Sequence, residues 1–409
     1  MIAGLDIGNG YVKGQIDGKT IKFPSVCAVN FTGSALPTPK ERLNEFFSRS
    51  VYDQLDATFD SNTVKNSSHR FFGERALSSG LTLEEFDVNS AQSKAEVDLS
   101  GVLVLGALAG RILVDYWNEH KALPTETLKK TCDLITALPV TEYRAFRDGY
   151  AKRFMGQSHV VTIHNFEKPV RIEITFTSVH VMSEGEAAGY AMLFSDDKLM
   201  QGFLDAARKA GQDLEGVTPA DLKNAASTIG LDIGEGTLNF AVFTGKRFNY
   251  DISTSVPKGY SQVLMRTMDR VLENGGPRFS SRKELAEFME REPSALSRAR
   301  YNSVKQVLDQ ESHAFAREIA MKASQVIAKA GGLVEAIYVF GGGAIPMKEF
   351  LYPELLKITS AGTGSDPLPL LYLDDQQAQF LNEFGLYMVA ESLQKDKKKK
   401  AEKPANSTK

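Results

Sequence analysis

Cysteine is scarce in this chain. Cys27 and Cys132 are the only two in 409 residues, and neither sits in a CxxC or zinc-ligand spacing, so a disulfide framework and a thiolate metal site are both excluded. Two free thiols suit a reducing cytoplasm. Histidine is also sparse, and its six copies show no metal-ligand spacing, which leaves them as surface or core residues. A strong charge of one sign is missing: 48 Lys+Arg against 51 Asp+Glu give a formal charge of −3, without the basic footprint of a direct nucleic-acid binder. Long apolar runs are missing too. The longest, Leu99 to Val114, contains Arg111 and is followed by Asp115, so it reads as a buried helix with no membrane partner. Asp6 interrupts the start where a signal peptide needs a basic and then an apolar run, and the expected location is cytoplasmic.

What is present is enough apolar sequence, 42 %, for two domain cores, and an internal echo. Ile2-Ala-Gly-Leu-Asp-Ile-Gly-Asn-Gly-Tyr-Val-Lys13 returns as Ile229-Gly-Leu-Asp-Ile-Gly-Glu-Gly-Thr-Leu-Asn-Phe240. In each copy an apolar run ends in an aspartate, glycines turn the chain, and an apolar run resumes, which reads as strand, turn, strand. Glycines lack Cβ, so they are expected to accept positive φ and to let phosphate approach the N–H groups of Gly8, Asn9 and Gly10, and of Gly234, Glu235, Gly236 and Thr237. Asp6 and Asp232, at the strand ends, are placed to hold the waters of a magnesium ion. Lys13 lies on the returning strand and faces either the core or the phosphates; an ammonium prefers the phosphates. One such turn is a common hairpin. Two, half a chain apart, imply duplicated α/β domains whose hairpins would clasp a triphosphate from both sides.

In chain order, Gly18 to Ser25 reads as a further strand, and Cys27 to about Ala95 as a looser, polar stretch with a short strand or turn at Phe71 leading into a helix. Asp98 to His120 is a helix, Leu134 to Val140 a buried strand, Glu142 to Phe154 a charged helix, and Val160–His164 with Val170–His180 a strand pair by period-two alternation. Glu184 stands where a strand gives way to a small-residue helix, Glu184-Gly-Glu-Ala-Ala-Gly-Tyr190. A carboxylate there orients water towards a terminal phosphate, or it caps the helix by favouring the dipole, and Glu186 competes for either role. Ser195 to Ser227 is charged and helical. Gly259, before a helix over Gln262 to Glu273, is expected to offer free N–H groups to an anion. Phe279 to Asp309 is charged and helical, and Glu311 to Ala330 forms a long helix. Glu335 to Pro346 is a buried strand running into Gly341, Gly342 and Gly343, a bare backbone that suits a flat ligand such as adenine or a tight strand-to-helix turn. Phe380 to Ala390 is an apolar helix, and Lys395 onward a basic tail expected to be solvated and disordered.

The order of these phrases resembles the superfamily of actin, heat-shock chaperone and sugar-kinase ATPases over almost the whole chain. Asp6 to Lys13 resembles its first phosphate loop, Glu184 to Tyr190 its first connecting helix, Asp232 to Asn239 its second phosphate loop, Val339 to Pro346 its adenosine motif, and Phe380 to Leu386 its second connecting helix. Phe23-Pro-Ser25 and the Glu184 phrase look most like the plasmid-segregating bacterial actins of the ParM and Alp type. The resemblance implies an α/β, actin-like fold with two RNase H-like domains around a nucleotide cleft, each with a smaller inserted subdomain. Domain I would take 1–186, with an insertion at about 20–97 and the helix at about 380–393. Domain II would take 187–379, with an insertion at about 262–310, and 394–409 would be tail. It further implies ATP and Mg2+ as cofactors, with Asp6 and Asp232 organising magnesium through water, Lys13 on phosphate and Glu184 on the attacking water. The implied function is an ATPase whose helical filaments of self segregate plasmid DNA through a DNA-binding adaptor.

Two departures stand out. Asn239 closes the second loop where many relatives have an acidic or histidine residue, and the 195–227 segment is longer than the usual link. The rival readings are weaker. A small-molecule kinase of the superfamily needs a substrate pocket and an aspartate base that no phrase announces, a chaperone needs a further domain, and a membrane-bound scaffold needs an amphipathic end that Lys395 to Lys400 does not provide.

Overall fold

The computed structural model describes residues 1–31, 33, 36–87, 92–194, 196–331, 334–361, 368–373 and 376–402. In chain order the first elements are β1 (Ile2–Ile7), β2 (Tyr11–Ile16), β3 (Lys19–Pro24), β4 (Val26–Asn30), α1 (Leu43–Ser48), β5 (Asp56–Asp60), β6 (His69–Phe72), α2 (Gly73–Leu77) and β7 (Leu83–Glu85). Then come α3 (Asp98–His120), β8 (Leu128–Leu138), α4 (Val140–Phe154), β9 (Ser158–Ile163), β10 (Val170–Ser183), α5 (Glu186–Phe194), α6 (Asp197–Lys209) and α7 (Pro219–Lys223). The rest is β11 (Ser227–Ile233), β12 (Leu238–Thr244), β13 (Arg247–Phe248), β14 (Thr254–Val256), α8 (Tyr260–Glu273), α9 (Arg282–Glu290), α10 (Arg298–Lys329), β15 (Ala336–Phe340), α11 (Ala344–Ala361), β16 (Leu370–Tyr372) and α12 (Leu381–Glu402). Contacts divide the chain into one unit of Met1–Ala191 with the C-terminal helix from Asn382, and a second of Met192–Leu381.

The first unit is built on one sheet in the order β3-β2-β1-β8-β10-β9-β5-β6-β4-β7. Its centre is parallel, β1 on β8 on β10, and a parallel centre demands burial on both faces. The long apolar helix α3 meets that demand: it is long and apolar enough to cross a membrane, yet most of it is buried against the sheet. The stretch 20–97, expected as an inserted subdomain, continues this sheet, because β5 pairs antiparallel with β9. Ile2, Ile135, Ala137 and Met182 form a second cluster with Ala187 of α5 and Leu386 and Ala390 of α12. Small residues decide how close these helices come. A side chain at Gly385 would run into the backbone carbonyl of Ala187, and one at Gly4 would stand 2.5 Å from the Tyr387 nitrogen.

The second unit repeats the hairpin in a smaller sheet, β13-β12-β11-β15-β16, with β11 parallel to β15 and β15 to β16. Helix α10 packs on α8 and α11, and Phe315, Ile319, Ala323 and Val326 enter the core with Leu231, Val339 and Leu351. A satellite core of Leu264, Val271, Phe279, Leu285, Val304 and Val307 sits within 262–310. The 195–227 segment covers the far edge of the sheet. Met200, Phe203, Leu204 and Ala207 of α6 are buried, and Gln212 acts as a strand surrogate: its Oε1 accepts from Leu370 N–H at 3.0 Å and its Nε2 donates to Leu370 O at 2.5 Å.

The C-terminal stretch differs from expectation. A disordered tail from 394 was expected, but α12 continues to Glu402, and Lys397 donates to Asp133 Oδ1 at 2.8 Å and to Ser178 Oγ at 2.9 Å. A run of lysines keeps good helix propensity, and one docked ammonium holds the helix to the sheet. The remainder of that tail, 403–409, lies outside the described residues.

The packing yields a paired test. Gly385→Ala should lower stability by about 2 kcal/mol, because the α5 backbone cannot yield to an added methyl. Gly202→Ala, in the open middle of α6, should raise it by about 0.5–1 kcal/mol. Urea denaturation of both variants checks the pair, and equal effects would refute this packing argument.

Candidate functional site

The two hairpins match in detail. In β1–β2, Asp6 stands opposite Lys13 and Ile7 opposite Val12; in β11–β12, Asp232 stands opposite Asn239 and Ile233 opposite Leu238. Gly8 N–H donates to Tyr11 O at 3.1 Å and Gly234 N–H to Thr237 O at 2.9 Å, so both turns close identically. Of the two reasons expected for glycine here, positive φ does not apply. None of Gly8, Gly10, Gly234 and Gly236 has positive φ. A Cβ at Gly8 or Gly234 would instead stand 2.8 or 3.0 Å from the carbonyl its own N–H bonds to, so tight closure requires the bare residue.

In the first unit, cross-strand register aligns Asp6, Lys13 and Lys22 on β1, β2 and β3, with Asn9 in the turn between the first two. Glu184 joins them from the head of α5. It is 5 % exposed, its N–H donates to Leu138 O at 2.7 Å, and its Oε1 accepts from Lys94 Nζ at 3.3 Å. Lys94 Nζ also donates to Ile7 O at 3.3 Å, at the entrance to the turn. Glu142 of α4 fixes the Lys94 backbone by accepting from its N–H at 3.0 Å and from Ser93 Oγ. Glu186, the first residue of α5, accepts from Ser183 N–H at 3.3 Å. Asn382 Oδ1 accepts from Gly185 N–H at 3.1 Å and ties α12 to the same bend.

The resulting field is dense. Glu383, on the first turn of α12, is 1 % exposed, and its Oε2 has no hydrogen-bond partner among the described residues. Burial pushes its carboxyl up to about 9; Lys13 and Lys22 pull it down and Asp6 pushes it up. Burial, then the Glu184 charge, push Asp6 up to about 6 against the pull of Lys13 and Lys94. Burial alone lowers the Lys94 ammonium, but Glu184, Asp6 and Glu142 outweigh it and hold its pKa above the usual lysine value.

In the second unit Asp232 is 5 % exposed and Asn239 Nδ2 donates to its Oδ2 at 3.4 Å. Arg282 lies 3.3 Å from Glu235 in the turn. After Gly259, the N–H groups of Tyr260 and Ser261 donate to Gly234 O at 3.1 Å and Glu235 O at 2.9 Å, so the first N–H groups of α8 brace the turn. Gly341 has φ 98°, and a Cβ there would stand 2.5 Å from Asp232 Oδ1; Gly343 N–H donates to Ile233 O at 2.8 Å. Gly342 alone of the three is exposed. Among the described residues, no three His, Cys, Asp or Glu side chains gather to hold a metal.

A family model described as the N-terminal domain of actin-like proteins matches residues 4–186, and one described as the C-terminal domain of the archaeal actin homologue MreB-like matches 230–352. The chain has an actin-like fold. Solved actin-like structures superpose along nearly its whole length. Alp7A is 17 % identical with a TM-score of 0.67, covering 99 % of both chains. A 15-stranded ParM filament from Clostridium botulinum is 17 % identical at 0.63, covering 96 % of this chain and 99 % of that one. Bacillus thuringiensis ParM with ATP is 15 % identical at 0.58, covering 96 % and 98 %. No curated protein matches this actin-like chain in sequence.

Sequence reasoning missed Lys94, Glu142 and Glu383. Lys94 sits in a polar stretch with nothing to single it out, whereas a glutamate inside the apolar phrase Phe380 to Ala390 was a visible anomaly. Glu383 and Asp6 both bind protons more tightly when folded, so the stability these two groups contribute is fully present below about pH 4 and is lost as pH rises through about 6 for Asp6 and about 9 for Glu383. Glu383→Gln should melt like the native protein at pH 5 and, without metal or nucleotide, about 2 °C or more higher at pH 9. Melting curves across this range check it; a difference that fails to grow with pH would refute the assignment.

Proposed function

We propose that this actin-like chain binds and hydrolyses ATP with Mg2+, assembles with itself into a helical filament in the bacterial cytoplasm, and segregates plasmid DNA through a DNA-binding adaptor. The observation that carries this reading is the duplicated hairpin, with an aspartate one residue before each strand end and a closed glycine turn after it. The ATP-bound and filamentous states of the ParM relatives support it.

The residues divide the work as follows. Gly8, Asn9 and Gly10 with Lys13, and Gly234, Glu235, Gly236 and Thr237 with Asn239, take the phosphates. Gly341, Gly342 and Gly343 lie along the nucleoside, where Gly342 leaves an exposed flat backbone. Asp6 and Asp232 suit magnesium held through water, since few protein carboxylates and several waters are its habit, and no larger carboxylate cage is present among the described residues. Bound magnesium would neutralise charge on the phosphate oxygens. Glu184 positions the attacking water; Glu186 is occupied at the helix start. Lys13 supplies a fixed positive charge beside the first turn. Head-to-tail contacts between copies are heterologous and need not close, which gives an open filament.

Light scattering and pelleting of the purified protein with and without ATP test the assembly. Polymer should appear above a critical concentration only with ATP, and Glu184→Ala should bind ATP normally, hydrolyse it about a hundredfold more slowly and keep its polymers longer. Flat scattering across micromolar concentrations and salts, with hydrolysis intact, would point to a small-molecule kinase. The same phenotype in Glu186→Ala, and not in Glu184→Ala, would transfer the role to Glu186.

A further inference from the structure

Lys94 is the least expected member of the charged group in the first unit. Only 7 % of it is exposed, and it comes from a loop, not from either strand of the hairpin. Its ammonium makes two contacts with different meaning: one to the carbonyl of Ile7, where β1 passes into the glycine turn, and one to the Glu184 carboxylate at the head of α5. Phe86 lies under the ammonium, 5.7 Å from it to the ring centroid. The Glu142 carboxylate pins the loop by accepting from the Lys94 N–H and from Ser93 Oγ, so the ammonium is held from behind.

We propose that Lys94 is a positioning residue for hydrolysis, which sets the Glu184 carboxylate and couples it to the turn that receives the phosphates. This rests on the reading of Glu184 given above. The chemistry follows from the contacts. A carboxylate at the start of α5 is oriented by the donors that reach it, and a buried ammonium 3.3 Å away supplies a directed, charge-assisted N–H. The same ammonium also reads the position of Ile7 O, so displacement of the turn is felt at Glu184. Against its burial, Glu184 first and then Asp6 and Glu142 hold the Lys94 ammonium above its ordinary value, in keeping with a fixed cation. Its contribution is orientation, and it makes no bond to the reacting atoms.

Four proteins decide the matter: native, Lys94→Met, Glu184→Ala and the double variant, each studied below the critical concentration by ATP affinity and single-turnover hydrolysis. Lys94→Met should bind ATP within about threefold of native and hydrolyse it at least about tenfold more slowly, because the lost interaction acts on the chemical step. The double variant should be no slower than Glu184→Ala, since Lys94 acts through Glu184. Native-like hydrolysis in Lys94→Met, multiplied defects in the double variant, or loss of ATP binding in Lys94→Met would each overturn the proposal. Native-like hydrolysis in Glu184→Ala would instead remove the reading of Glu184 on which it rests.

Discussion

The constraint on which the rest of the structure depends is the closed turn, in which Gly8 and Gly234 each donate their N–H to the carbonyl three residues on. That bond leaves no room for a Cβ at the first residue, and it sets the register of the returning strand. Register then does the placing. Once Ile7 is opposite Val12 and Ile233 opposite Leu238, Asp6 must meet Lys13 and Asp232 must meet Asn239. The apolar neighbours point into the two cores and hold both pairs at the ends of buried strands.

The two units use this common frame differently. In the first, charge gathers: Lys13 and Lys22 from the hairpin and its neighbour, Lys94 from a loop, Glu184 from α5 and Glu383 from α12 surround Asp6. In the second, the partner of Asp232 is a neutral amide, and backbone supplies the rigidity. The start of α8 braces the turn through Gly234 O and Glu235 O, while Gly341 and Gly343 close on Asp232 and Ile233. A duplicated scaffold has therefore kept its geometry and diverged in its electrostatics.

Local pattern made the frame legible in the sequence. Period-two alternation found β9 and β10, an apolar run found α3, and the repeated Asp-Ile-Gly phrase found both hairpins, because each of these is encoded within a dozen residues. Long-range placement was not legible. Lys94 reaches Glu184 across ninety positions, Gln212 reaches Leu370 across 158, and Lys397 reaches Asp133 across 264. Positive φ was expected of the turn glycines and is not found; at Gly8 and Gly234 close approach of the backbone carbonyl explains the missing side chain. That the N–H groups of Tyr260 and Ser261, just after Gly259, brace the second turn was likewise not legible, because their partners lie some twenty-five residues away.

The proposed function depends on the Asp6 hairpin and the Asp232 hairpin each taking part in binding ATP with magnesium. Calorimetric titration of ATP into native protein, Asp6→Ala and Asp232→Ala, with magnesium and with a chelator, measures this directly. The proposal predicts binding to the native protein that depends on magnesium, and a loss of about tenfold or more in each variant with magnesium present, since each would remove a charged group proposed to hold the ion's waters. Native affinity retained in either variant, or ATP binding indifferent to magnesium, would contradict it.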